Sequence, residues 1–190
     1  MNKPEVPVVC PSNQQQWREW LQAHHDQDQS VWLVYYKKTS TTPTLSWSEA
    51  VDEALCFGWI DSQAKPLDDE KYQQFFSRRK PKSGWSKVNK EKVKRLIAEG
   101  KMMPAGITSI ETAQQNGSWT LLDEVEALQL PADLKQAFVL HPEARTYFMT
   151  LCRTAKRQAL LALVLAKRPA TRQQRIRAIL ELANHGVKPA

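Results

Sequence analysis

The densest chemistry in the chain sits in FFSRRKPKSGWSKVN, residues 75–89, where Arg78, Arg79, Lys80 and Lys82 precede Trp85 and the serines Ser83 and Ser86 flank it. Guanidinium groups grip phosphate or carboxylate in a planar fork, and a helix starting near Ser86 would aim unpaired N–H groups at the same place. An exposed tryptophan adds a stacking surface. The segment therefore reads as an anion-binding or aromatic-binding surface built from Arg78, Arg79, Lys82, Ser83, Trp85, Ser86 and Asn89, with Trp59 and Asp61 added from the strand-like run just upstream. The plainer reading of the same residues is structural: Ser86 caps the helix, Trp85 packs inside, and the arginines pair with the acidic turn Asp68–Glu70.

A second basic block, AKRPATRQQRIRAIL at residues 166–180, places Lys167, Arg168, Arg172 and Arg175 near one helical side, opposite Ile176 and Ile179. An uninterrupted cationic stripe of this kind could track a phosphate backbone, although a solvated helix face is the default. Asp61 alternates with Trp59 and could turn inward as an acid or base, while Asp52 and Glu53, adjacent on a helix, diverge by about 100° and read as a solvated face. Cys56 lies within AVDEALCFGWI and reads as a core thiol rather than a nucleophile. His24 and His25 are adjacent with no partner at i+4, and the cysteines are isolated, so no metal site is expected. Neither a phosphate-cradling loop, a dinucleotide fingerprint nor a GxSxG elbow occurs, which leaves no cofactor expectation and weakens an enzymatic reading.

The elements that must position these residues can be read from spacing. Ser12 with Gln15 suits a capping box for a helix over 13–25, in which Trp17, Trp20, Leu21 and His24 recur at helical spacing. SVWLVYYKK, residues 30–38, reads as a strand ending at a Pro43 turn, and Ser46 with Glu49 opens a second helix that Gly58 follows. Trp59–Ala64 and Tyr72–Ser77 read as a hairpin around a turn over 66–70. After the basic loop comes a helix with Val88, Val93, Leu96 and Ile97 on one face and Gly100 at its stop. Thr108 with Glu111 suggests a further helix closed by Gly117, Pro131 and Pro142 suit first-turn positions, and two last helices span 153–167 and from Thr171 to Gly186. The expected fold is α+β, a small antiparallel sheet in the N-terminal half and a predominantly helical C-terminal half; a helical bundle with one hairpin is the alternative. Residues 1–190 read as one domain, with the weakly signalled stretch 117–131 a candidate subdomain boundary.

Composition sets the outer bounds. At 190 residues a core can form without disulfides, and three widely spaced cysteines, each beside an apolar run, suggest buried reduced thiols in a reducing compartment. The N-terminal residues lack the features of an export signal, and no apolar run is long enough to span a bilayer, so a cytoplasmic location is expected. The net charge of +7 conceals segregation: residues 71–101 hold 11 basic against 2 acidic side chains, whereas residues 41–70 hold 1 against 7. Residues 152–190 are basic again, 9 against 1.

Taken together, SWSEAVDEALCFGWID, RRKPKSGWSKVNKEKV, LIAEGKMMPAG and AKRPATRQQRI, within residues 45–120 and 166–175, give the chain a resemblance to the OmpD-associated or YdeI-like bacterial family, also termed bacteriocin-protection proteins. Ser77, where many relatives carry proline, departs from that pattern. The resemblance implies a cytoplasmic stress-resistance protein connected with cationic peptides or bacteriocins and with envelope proteins, and it implies no reaction, catalytic residue or cofactor. Three functions stay open: a non-enzymatic module for an anionic small molecule or a protein partner, a nucleic-acid binder using residues 71–101 and 152–190, and a small-molecule enzyme in which Asp61 works beside an arginine clamp.

Overall fold

A computed structural model describes residues 5–37, 39–42 and 44–185, and it divides into two compact units. Unit 1 comprises the chain up to Ser83 together with Val88–Trp119, and unit 2 comprises Gly84–Lys87 with the chain from Thr120 onward.

Unit 1 is built on a four-stranded sheet of order β1-β2-β4-β3, formed by β1 (Val8–Val9), β2 (Ser30–Tyr36), β3 (Trp59–Pro66) and β4 (Lys71–Arg78). The β3–β4 hairpin is antiparallel as expected, and its turn is held where Asp68 accepts from the backbone N–H groups of Glu70 and Lys71. The sheet as a whole is mixed, because the two-residue β1, which carries no readable alternation, pairs parallel to β2. In β2 and β4 the period of two sorts side chains cleanly: Val31 faces Phe76, Leu33 faces Gln74 and Tyr35 faces Tyr72, and all but Tyr72 are buried. The rings of Tyr35 and Tyr72 stack at 4.9 Å, while Trp32 and Phe75 meet edge-on across the opposite face.

Helix α1 (Gln14–His24) closes over this sheet through Trp17, fully buried, whose ring meets Phe76 at 5.5 Å. Its cap sits one residue later than the sequence suggested: Asn13 accepts from the Gln16 N–H, and the Gln16 side chain reaches back to the Ser12 N–H. Helix α2 (Trp47–Cys56) keeps the expected capping box, with Ser46 and Glu49 each accepting from the other's backbone N–H. It ends at Gly58, whose φ of +72° is the left-handed turn that lets the chain enter β3 at once.

Helix α3 (Lys87–Ala98) buries Val93 and Leu96, but Val88 and Ile97 point to solvent, so its buried stripe is narrower than the sequence suggested. Helix α4 (Pro104–Gln115) begins earlier than the Thr108 cap predicted, because Pro104 occupies its first turn. Close approach fixes α4 in place: a Cβ on Gly106 would stand 2.2 Å from the Cys56 carbonyl oxygen.

Unit 2 follows as α5 (Asp123–Glu126), α6 (Ala132–Leu140), α7 (Pro142–Thr150), α8 (Arg153–Val164) and α9 (Pro169–His185). Leu134, Phe138, Ala144, Phe148, Leu160, Leu163, Ile176 and Ile179 form its core, and the rings of Phe138 and Phe148 meet at 5.4 Å. Pro142 opens α7 as expected, whereas Pro131 stands just before α6, and Gly186 lies outside the described residues. No helix among the described residues is long and apolar enough to cross a membrane.

Candidate functional site

Arg78 closes β4 and Arg79 follows it, and both backbones are pinned there. The Arg78 N–H donates to the Gln29 carbonyl at 3.2 Å, and the Arg79 N–H to the Gly58 carbonyl at 2.9 Å. Strand alternation would send neighbouring side chains to opposite faces, but β4 ends at Arg78, and both guanidinium-bearing residues line one open cleft of about 250 Å³. His25 and Asp26 at the end of α1, Phe57 and Gly58 before β3, and Ala105, Thr108 and Ser109 on the first turns of α4 complete its walls. Gly58 lets β3 and α4 approach closely at its edge: a Cβ there would lie 2.9 Å from the Ala105 carbonyl oxygen.

The electrostatics favour an anion. The Nε and Nη2 atoms of Arg78 are buried and have no hydrogen-bond partner among the described residues. Burial pulls the Arg79 guanidinium down to about 10, an effect that the Asp61 carboxylate only partly offsets. Each unsatisfied buried donor costs roughly 1–3 kcal/mol, and a charge-assisted bond to an entering oxygen would return a similar amount. The volume is just under the roughly 300–1,000 Å³ of drug-sized sites, which suits a small ligand.

The other candidates separate from this cleft. The arginines do not pair with Asp68–Glu70, because the hairpin turn lies at the far end of β4, about 26 Å from Arg78 at 3.3 Å per residue. Asp61 is not among the cleft residues; it accepts from Trp47 Nε1 at 3.0 Å and from Gln74 Nε2 at 3.1 Å. Trp59 is fully buried, donates Nε1–H to the His25 carbonyl and supports the cleft from behind. Trp85 belongs to unit 2 and is 1% exposed, so it offers no open ring face and the stacking-platform reading falls. Lys82 is exposed and Ser83 half-buried in the loop after the arginines, whose Pro81 carbonyl accepts from Asn116 and Ser118. Ser86 and Asn89 flank the start of α3 and do not line the cleft.

Three further expectations are corrected. Asp52 and Glu53 are buried, not solvated, and each finds a different helix: Lys92 and Arg95 of α3 hold Asp52 at 2.6 and 2.5 Å, while Arg18 and Gln14 of α1 hold Glu53 at 2.6 Å each. Of the cysteines only Cys56 is buried; Cys10 and Cys152 are exposed. Burial pushes the Cys56 thiol up to about 11, which keeps it protonated near neutrality. In the second basic block Arg172 forks onto Asp133 at 2.6 and 2.9 Å and Arg175 donates to the Ala162 carbonyl, so two of the four residues of the expected stripe are engaged and Lys167 and Arg168 are left of it. Among the described residues no group of three His, Cys, Asp or Glu side chains is placed to hold a metal ion.

Comparison with known families decides the affiliation. Residues 9–109 match a family model described as a domain of unknown function, DUF8412, and residues 127–186 match one described as bacteriocin-protection, YdeI or OmpD-associated. The chain belongs to the DUF8412 family and carries a YdeI or OmpD-associated domain. No curated protein and no solved structure matches it. The affiliation with the YdeI or OmpD-associated family is as the motifs suggested, but its span differs. Only AKRPATRQQRI falls inside residues 127–186, whereas the three earlier motifs, and the arginine cleft with them, lie in the DUF8412 part.

His25, Asp26, Phe57, Gly58, Ala105, Thr108 and Ser109 were not singled out as site residues from the sequence. A glycine placed directly after a helix and followed by a strand was the one readable sign, since such a corner brings backbone close to whatever packs on it. Nothing in the local pattern links His25 to Thr108.

Proposed function

We propose that the DUF8412 part of this protein is a non-enzymatic binding module that takes a small anion between Arg78 and Arg79. The observation that carries this is the pair of adjacent arginines lining one cleft, with the Arg78 donors buried and unsatisfied. A carboxylate or phosphate would accept from both guanidinium groups, with the Thr108 hydroxyl as a further donor. A binding role is preferred over catalysis because Asp61, the candidate acid or base, is tied to Trp47 and Gln74 and is not among the cleft residues, and the Cys56 thiol stays protonated. The description of the family matched by residues 127–186, bacteriocin protection, is the support for reading this module as part of a resistance protein, and three free thiols would suit a reducing, cytoplasmic setting.

Nucleic-acid binding through both basic blocks is the weaker reading, since Arg172 and Arg175 are engaged inside unit 2. The test is calorimetric titration of the whole protein at low ionic strength with inorganic phosphate, sulfate, acetate, succinate and citrate. At least one should bind saturably at one per chain, and Arg78→Gln and Arg79→Gln should each weaken it by about tenfold or more. Absence of binding by every anion, or equal binding by the variants, overturns the proposal; binding confined to single-stranded DNA would favour the rival.

A further inference from the structure

Unit 2 leaves neighbouring apolar side chains outside its core on α6 and α7. Val139 is 79% exposed, Leu140 74% and Met149 47%, all on α6 and α7. Two adjoining clefts of about 290 and 730 Å³ share Phe138, Val139 and Arg145; Leu130 and Lys135 extend the first, and Pro142, Thr146 and Met149 the second. Their walls follow helical spacing, with Lys135 one turn before Val139 and Arg145 one turn before Met149, so each helix offers a cation beside an apolar residue.

Neither Lys135 nor Arg145 has an acidic partner among the described residues. The neighbouring acids are directed elsewhere: Asp133 to Arg172, and Glu143 towards His141 at 3.6 Å. An apolar groove rimmed by unmatched cations calls for a partner that is apolar on one side and anionic at its edges.

We propose that the α6–α7 groove docks an acidic amphipathic segment of a partner protein. Its apolar side chains seat over Phe138, Val139 and Met149, and its carboxylates meet Lys135 and Arg145, as an amphipathic helix lies in a groove. A second copy of this chain is the poorer occupant, because a two-fold contact on this face would set Lys135 and Arg145 against their own counterparts. A bilayer is also poorer, since a concave cleft receives an inserted side chain whereas a membrane requires apolar residues on a convex edge.

Fluorescence polarisation of the full chain tests this. The probe is a labelled peptide of Leu and Glu in an amphipathic helical pattern; its controls are the same pattern with Lys for Glu and a scrambled order. The Leu/Glu peptide should bind saturably, both controls about tenfold more weakly, and Val139→Asp and Arg145→Glu should each cost about tenfold. Both positions face outward, so unchanged circular dichroism confirms that the variants fold. No binding, equal binding of the Leu/Glu and Leu/Lys peptides, or indifference to both variants overturns the proposal. So does binding of phosphatidylglycerol vesicles without the peptide, or a dimer in solution that Val139→Asp dissolves.

Discussion

Replacing Arg79 by methionine should make the protein more stable while removing its response to anions. Burial pulls the Arg79 guanidinium well below the ordinary arginine range, to about 10, with Asp61 as partial compensation. A depression of that size corresponds to roughly 3 kcal/mol lost by keeping the charge in the folded state. Methionine follows the aliphatic stem and carries no charge, so it escapes that cost, and the Asp61 carboxylate it leaves behind keeps its bonds from Trp47 and Gln74. Allowing for imperfect packing, Arg79→Met should gain about 1–2 kcal/mol. The sign follows from the direction of the shift. A lowered folded-state value means that the cost is present at every pH below about 10 and is relieved only as pH rises above it, so the gain should be flat from about pH 6 to 9.

Urea unfolding followed by tryptophan fluorescence suits the measurement, because six of the seven tryptophans lie in unit 1. Phosphate at about ten times its dissociation constant should stabilise the wild-type chain by about 1.4 kcal/mol and the variant by at most about 0.4 kcal/mol. A variant less stable by more than about 1 kcal/mol would refute the burial argument, and one that phosphate protects equally would refute the anion site.

Gly106→Ala should destabilise unit 1 by about 2–4 kcal/mol, read in the same urea titration, because its Cβ would meet the Cys56 carbonyl oxygen at 2.2 Å and backbone must move. A thiol reagent at neutral pH should label Cys10 and Cys152 quickly and Cys56 only in denaturant, as counted by mass spectrometry; fast labelling of all three would contradict the burial and protonation of Cys56. Arg172 holds the Asp133 carboxyl below its ordinary 3.8, so its contribution is present above that value and is lost as pH falls through the lower folded one. Melting curves of Asp133→Asn should accordingly show less loss of stability on acidification than those of the wild-type chain, with parallel losses counting against the pairing.

What could be read in advance was local. The Ser46 and Glu49 box, the β3–β4 hairpin and the helical C-terminal half all announce themselves through residues within a few positions of one another. Missed features depend on distant partners. Asp52 and Glu53 diverge as adjacent helical residues must, but each turns towards its own cation, Lys92 and Arg95 for one and Arg18 for the other, and only the packing of α1 and α3 on either side of α2 reveals that. Trp85 looked like a recognition residue because it stood among cations, and charge along the chain says nothing about which way a ring points. The arginines were legible as a pair of anion ligands; the cleft they line was not, since His25, Gly58 and Thr108 come from three separate parts of the chain. β1 was invisible because two residues cannot display a period.

The membership of Gly84–Lys87 in unit 2 bears on how the protein can be taken apart. A gene cut once after Trp119 would strand this four-residue piece on the wrong fragment: the C-terminal product would lack the backbone at Gly84 that fits so closely against Leu122 that a Cβ there would stand 2.8 Å from its Cγ. The N-terminal product would carry Trp85 without the surroundings that bury it. Two fragments made this way should aggregate separately yet recover soluble protein when co-expressed, and anyone wanting a free-standing YdeI or OmpD-associated domain will need to graft those four residues back onto it.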